Sequence, residues 1–206
     1  MRALLSIGLG YLVGCISPAA WLGKRKNVNL KEEGTKNLGA TNTTLVLGRK
    51  AGVIVLLFDI LKSFFAAKAA RLLFPQLAVA GMLAGIGAIL GHCFPVFLQF
   101  QGGKGLAAFG GMILYYNPWF FVIIVTSGIL LMSLLNTGVA APMLGCVLFP
   151  ILVWLKSGSL PDTLLAVTAS VFIFAMHWTN LVKALTRNDV ISTRNFYKDI
   201  LFRKKK

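Results

Sequence analysis

Residues 119–135 read WFFVIIVTSGILLMSLL, a run with no charged side chain and no proline. A helix needs roughly 20 mostly apolar residues to cross a bilayer, and in lipid a helix satisfies its own backbone hydrogen bonds. This stretch therefore predicts a membrane helix. Working outward from it, comparable runs follow at 138–156 and 162–181 and precede it at 105–116, 77–98, 51–74 and 3–23, the one at 105–116 being too short to span comfortably. The breaks between them are turn formers: Phe74-Pro75-Gln76, Tyr116-Asn117-Pro118, Asn136-Thr137-Gly138 and Ser157-Gly158-Ser159-Leu160-Pro161. The expectation is an all-α, polytopic membrane protein of about seven transmembrane helices, forming a single integral membrane domain over residues 1–206.

Composition agrees with that solvent. Apolar residues make up 57% of the 206 positions and charged residues 13%, and the mean hydropathy is +0.77. A water-soluble domain of this size carries a charged coat. Here most charges crowd into two stretches, Lys24 to Lys50 and Lys183 to Lys206. A net charge of +15 would suit nucleic acid, but these basic clusters flank apolar runs. The positive-inside rule and anionic headgroups account for them, and no nucleic-acid partner is expected. If the first loop is cytoplasmic, the segments 24–50 and 99–105, the turn at 136 and the tail after 182 all lie inside with 16 of the 21 Lys and Arg. That balance places the N-terminus outside and the C-terminus in the cytoplasm.

The three cysteines, Cys15, Cys93 and Cys146, lie inside apolar runs without paired spacing and read as small buried hydrophobes. Within the second predicted helix, Asp59, Lys62 and Lys68 interrupt the apolar run, and Asp59 and Lys62 at i, i+3 share a face. Charges at that depth demand partners; a structural ion pair and a functional site are both open readings.

Three polar patches fall at one predicted membrane face: Gly34-Thr35-Lys36-Asn37-Leu38-Gly39-Ala40-Thr41-Asn42; Gly91-His92-Cys93-Phe94-Pro95 running on to Gly102-Gly103-Lys104-Gly105; and His177-Trp178-Thr179-Asn180. The first offers small residues, hydroxyls and amides ahead of a helix start, a setting that favours anions. The second sets glycines around Lys104 just before a helix, a geometry suited to phosphate, although it lacks the GxxxxGK[ST] spacing. His177 and Asn180, three residues apart, project on one face. His92 reads either as part of its patch or as a hydrogen-bonded core residue. The carboxylates are scattered and no His and Cys set has ligand spacing, so no metal and no other cofactor is expected.

At these three patches the chain resembles the acyl-phosphate:glycerol-3-phosphate acyltransferase (PlsY) family. That family carries GSGNxGATN, GHxFPxFLxFxGGKG and HxxNI-type motifs in this order between about seven helices, and the resemblance spans essentially the whole chain. It implies transfer of an acyl group from acyl phosphate to the 1-hydroxyl of glycerol 3-phosphate, giving lysophosphatidic acid and phosphate at the cytoplasmic face of a bacterial inner membrane. Acyl phosphate is an activated mixed anhydride, so no serine or cysteine nucleophile is needed. The resemblance makes Lys104, His177 and Asn180 the catalytic group. It places Thr35, Asn37, Gly39, Thr41, Asn42, Gly102, Gly103 and Gly105 around the substrates, and Lys36, Arg49 and His92 join them as substrate-binding candidates from their own residue types and positions. The HxxxxD dyad of the other large glycerolipid acyltransferase group is absent, because Phe97 and Val182 stand five residues after His92 and His177.

The chain departs from the pattern at several positions. Thr35 and Lys36 stand for the usual Ser and Gly, Leu45 for an Arg, Gln101 for a Lys, and Arg187-Asn188-Asp189 for a terminal Gly-x-Glu. The family's serine-containing segment after the fifth helix reads Thr137 to Pro142. Lys36, together with Arg49 one turn beyond Leu45 if that segment is helical, would restore part of the lost charge. Alternative readings are a non-catalytic membrane partner of other lipid-synthesis enzymes and a transporter of a phosphorylated small molecule.

Overall fold

The computed structural model describes residues 1–186, and every regular element in them is helical. The basic tail, with Arg187-Asn188-Asp189, lies outside the described residues. The chain divides into two compact units, Met1–Pro118 and Trp119–Lys206.

In the first unit, the predicted helix 3–23 is two helices, α1 (Arg2–Gly14) and α2 (Pro18–Arg25). Pro18 has no N–H to give to α1, and Ser17 Oγ accepts from Ala20 N at 3.2 Å to open α2. The next helices are α3 (Ala40–Leu47) and α4 (Arg49–Leu73), kept apart by Gly48 at φ +91°. That conformation is one few L side chains adopt, and it ends α3 where a continuous helix was conceivable. Arg49 therefore does not sit one helical turn beyond Leu45. After α4 come α5 (Ala80–Cys93), a 3₁₀ turn (Val96–Leu98) and α6 (Leu106–Tyr116). The apolar run predicted as one helix to residue 98 leaves α-geometry at Cys93, ahead of Pro95.

α1 packs along α5 through small residues. A Cβ on Gly10 or Gly14 would strike the backbone of Ala84 or Ala88, and one on Gly87 or Gly91 would strike that of Ile7 or Tyr11. Lipid tails give no hydrophobic drive for helices to associate, so close backbone approach of this kind is what holds such pairs together. α4 meets α6 in the same manner, Gly111 lying against Ile60 O.

The second unit holds α7 (Pro118–Leu135), α8 (Ala140–Ser157) and α9 (Leu160–Leu185), within a residue or two of the predicted runs except at the C-terminal end of α9. Ser159 Oγ accepts from Asp162 N and Pro161 follows in the first turn, which fixes where α9 starts. α8 packs on α9, and Phe149, Val153, Ala166 and Ile173 are fully buried. In α7 only Ile124 and Gly128 are buried, whereas Trp119, Leu130 and Leu134 are among its most exposed residues.

Among the described residues, five helical segments are long and apolar enough to cross a membrane: Arg2–Arg25, Ala80–Leu98, Pro118–Leu135, Ala140–Ser157 and Leu160–Leu185. α4 has the length, at 25 residues, but carries Asp59, Lys62 and Lys68. α6 is a shorter apolar helix.

Candidate active site

The loop between α2 and α3 holds the first polar patch, and Asn42 organises it. This residue lies in the first turn of α3 with 0% exposure. Its Oδ1 accepts from Thr35 N at 2.6 Å, and its Nδ2 donates to Leu30 O at 2.8 Å and to Asn37 O at 2.9 Å. A buried amide with so many partners closes the loop on itself. Thr43 Oγ1 adds a bond to Gly39 O at 2.9 Å. Thr35 Oγ1 and Asn37 Oδ1 are buried and have no hydrogen-bond partner among the described residues. Polar atoms left in that state cost about 1–3 kcal/mol each, so such atoms mark a place where a partner belongs. Lys36 is exposed and has φ +56°, left-handed backbone that suits the glycine it replaces better than a lysine.

The second patch packs directly against the first. Gly102 N donates to Cys93 O at 3.0 Å and Gly103 N to His92 O at 3.1 Å, folding the glycine loop back onto the end of α5. Leu38 N reaches Gly102 O at 3.4 Å, which joins the two loops. Glycine is needed on steric grounds, since a Cβ at Gly102 would strike His92 O and one at Gly103 would strike the His92 ring. Gly105, at φ +81°, turns the chain into α6, and Phe109 N closes that first turn on Gly105 O at 2.8 Å. Lys104 sits half-buried between these two glycines, one residue before Gly105 opens the helix. Leu38 also lines a cavity of ≈480 Å³ with Ala19, Gly23, Lys24, Asn29 and Leu30.

His92 is buried, and its Nδ1 faces Lys62 Nζ at 3.1 Å and Asp59 Oδ1 at 3.3 Å. Of the remaining predicted residues in this unit, Thr41 is exposed on the first turn of α3 and Arg49 is exposed at the start of α4.

In the second unit, His177 and Asn180 lie towards the end of α9, His177 buried and Asn180 half-buried. His177 Nδ1 lies 2.9 Å from Ile173 O. A carbonyl oxygen only accepts, so Nδ1 is the donor in that bond. The three cysteines are free and buried. Among the described residues no three His, Cys, Asp or Glu side chains gather as a metal site.

Residues 4–187 match the family model of the glycerol-3-phosphate acyltransferases. The chain belongs to this family. The glycerol-3-phosphate acyltransferase of Geobacillus kaustophilus is 33% identical over 190 residues, covering 92% of this chain and 95% of that one. That of Lactiplantibacillus plantarum is 35% identical over 187 residues, covering 89% and 88%. The crystal structure of PlsY, an integral membrane glycerol 3-phosphate acyltransferase, in its glycerol 3-phosphate form superposes with a TM-score of 0.88 at 26% identity, covering 98% of this chain and 100% of PlsY. The PlsY resemblance carried by the three motifs is thereby established, and with it an all-helical, multi-pass membrane acyltransferase of phospholipid synthesis.

Several residues that build this family member's loops carry no motif signal of their own. Leu38 contributes a backbone N–H, Leu30 and Ile16 contribute carbonyls, and Lys31 Nζ donates to Leu98 O at 3.0 Å beneath the 3₁₀ turn. Backbone partners leave no trace in residue type. Lys31 was in principle legible as a cation beside the first patch.

Proposed function

We propose that the chain moves an acyl group from acyl phosphate to the 1-hydroxyl of glycerol 3-phosphate, at the cytoplasmic face of a bacterial inner membrane. The observation that carries this reading is the joined pair of loops. Unsatisfied Thr35 Oγ1 and Asn37 Oδ1 lie in one loop, and the glycine turn that presents Lys104 is bonded to it through Leu38. Two phosphate-bearing substrates and no nucleophilic side chain call for anion-holding loops of this kind, and the relatives named above are glycerol-3-phosphate acyltransferases.

In the reaction, the glycerol oxygen attacks the acyl carbonyl carbon, the new ester C–O bond forms, and the C–O bond to phosphate breaks to release inorganic phosphate. Lys104 offsets phosphate charge, and the side-chain-free turn through Gly102, Gly103 and Gly105 lets the backbone approach the phosphate closely. Thr35, Asn37, Gly39 and Thr41 serve binding from the first loop, with Asn42 behind them as its brace. Lys36 supplies positive charge to a site that lacks an arginine at Leu45 and a lysine at Gln101. By the family motif His177 and Asn180 serve the same reaction, with His177 and a substrate phosphate oxygen as the two bases available for the hydroxyl proton. The cavity beside Leu38 has apolar walls with Lys24 and Asn29 among its lining, room for an amphiphile next to the loop.

The topology that accompanies this reading has seven membrane-embedded segments, α4 and α6 included, with the N-terminus outside and the C-terminus inside, and both units form one domain. The test is acyl transfer by purified protein in bilayers, with palmitoyl phosphate and glycerol 3-phosphate supplied and both phosphate and lysophosphatidate followed. Product that requires both substrates is expected. Folded protein that forms no product with acyl phosphate yet works with another acyl donor would overturn the donor assignment. Folded protein that acylates nothing would favour a membrane partner role.

A further inference from the structure

The glycine loop rests on a buried charge cluster that the reaction itself does not call for. Asp59 and Lys62 on α4 are 1% and 6% exposed, and Asp59 Oδ1 lies 2.7 Å from Lys62 Nζ. Lys62 Nζ also donates to Ile16 O at 2.8 Å, in the break between α1 and α2, and meets His92 Nδ1 at 3.1 Å. Asp59 Oδ1, Ile16 O and His92 Nδ1 thus gather around one ammonium. Because Nδ1 of His92 is turned to this pair, the other edge of the ring is turned away from it. That edge, Nε2 and Cε1, is what a Cβ on Gly103 would strike. The His92 carbonyl meanwhile accepts from Gly103 N at 3.1 Å. His92 is thus held from behind by the ion pair and itself supports the loop from below through both ring and backbone.

An ion pair is costly to hold in the interior of a membrane helix, and replacing such a pair by apolar residues is often neutral or stabilising. Packing alone does not explain why this one stands behind Lys104. We propose that Asp59, Lys62 and His92 are positioning residues for the acyl transfer, fixing the Gly102–Gly105 turn and the break after α1 in one register so that Lys104 meets its phosphate. The inference rests on the function proposed above. None of the three touches substrate; they act through the loop, so the cost of losing them is a misplacement of the groups that do.

The neutral double variant Asp59→Asn/Lys62→Met tests this without leaving a buried charge unpaired. It is made alone and in a Lys104→Ala background, with the single variant His92→Asn beside it. In intact protein in bilayers, the double variant is expected to lower kcat/KM by about 10- to 100-fold, the scale of a misplaced catalytic group. In the Lys104→Ala background the same change is expected to cost under about 3-fold, since groups that act through one another are not additive. His92→Asn, which keeps a hydrogen-bonding side chain towards Lys62, is expected to lose less than His92→Ala. Amide hydrogen exchange supplies a readout independent of activity: peptides covering 101–105 should exchange at least about 10-fold faster in the double variant, while those from α5 and α6 stay unchanged. Losses that are fully additive with Lys104→Ala, or exchange at 101–105 that does not move, would overturn the proposal. If the wild-type chain fails to use acyl phosphate, the exchange result still decides the positioning role, and only the donor assignment falls.

Discussion

Replacing Gly103 by Ala adds one methyl group at the point where the loop rests on the cluster behind it. Gly103 is not one of the glycines with positive φ, so alanine meets no backbone penalty there, and any effect comes from contact. The new Cβ would overlap His92 Nε2, and it would stand 3.0 Å from both His92 Cε1 and the Leu38 carbonyl oxygen. A flexible side chain would swing aside, but this ring is held on its other edge by Lys62 and Asp59, and Leu38 O is backbone. The loop therefore moves instead of its support. Overpacking of this kind costs about 1–3 kcal/mol of stability, and a shift of about 1 Å in Lys104 costs about 100-fold in rate. The assay compares kcat/KM and thermal midpoint for Gly103→Ala with those for Gly8→Ala. Gly8 is a helical glycine with nothing within 4 Å of the added Cβ, so its substitution should leave activity intact and stabilise α1 slightly. Activity in Gly103→Ala within about 3-fold of wild type, with an unchanged midpoint, would refute the account of how this loop is held.

Lys104→Ala and His177→Ala are each expected to reduce acyl transfer by about 100-fold or more, measured as lysophosphatidate formed per purified protein, through loss of charge stabilisation and of orientation. Asn42→Ala removes bonds to Thr35 N, Leu30 O and Asn37 O. At about 1 kcal/mol each, it should lower stability by about 3 kcal/mol, seen as a fall in the thermal midpoint, and it should weaken substrate binding as the first loop loosens. Gly91→Ala drives a methyl group into the Tyr11 carbonyl. Because that clash is backbone against backbone, it should force α1 from α5 and reduce the yield of folded protein, whereas the exposed Gly48→Ala should be tolerated sterically and pay only for its φ of +91°.

Hydropathy made α6 to α9 legible in the sequence, because a long apolar run between turn formers has one outcome in lipid. It did less well where the backbone, not the solvent, decides. Val96 to Leu98 is apolar, yet Pro95 takes it out of α5 and into a 3₁₀ turn. Pro18 divides the first run in the same way. The three patches were legible as patches because glycine, asparagine and lysine are out of place in apolar surroundings. Their division of labour was not. Asn42 has the composition of a ligand-binding residue, but its side chain is committed to the loop's own backbone. His92 reads equally well as a site residue or a core residue until Lys62 and Asp59, 30 and 33 positions earlier, are seen against it. The glycines of α1 and α5 carry a four-residue spacing, Gly10 with Gly14 and Gly87 with Gly91, that is a packing signal in membrane helices. It names the faces that pack but not which face meets which.

The same limits decide how the charge missing from this chain is made good. The family pattern has an arginine where Leu45 stands and a lysine where Gln101 stands, and the sequence offers Lys36 and Arg49 in exchange. On one continuous helix Arg49 would stand a turn from Leu45 and inherit its direction. Gly48 ends α3 before that turn is complete, so Arg49 begins a different helix and its nearness in sequence loses its meaning. Lys36 has the stronger structural claim. It lies in the loop between unsatisfied Thr35 Oγ1 and Asn37 Oδ1, and it occupies left-handed backbone that costs a non-glycine residue about 1–2 kcal/mol. On the function proposed above, a lysine carried where glycine would be easier is a cation kept at the cost of strain, standing in for the charge that α3 lacks at Leu45.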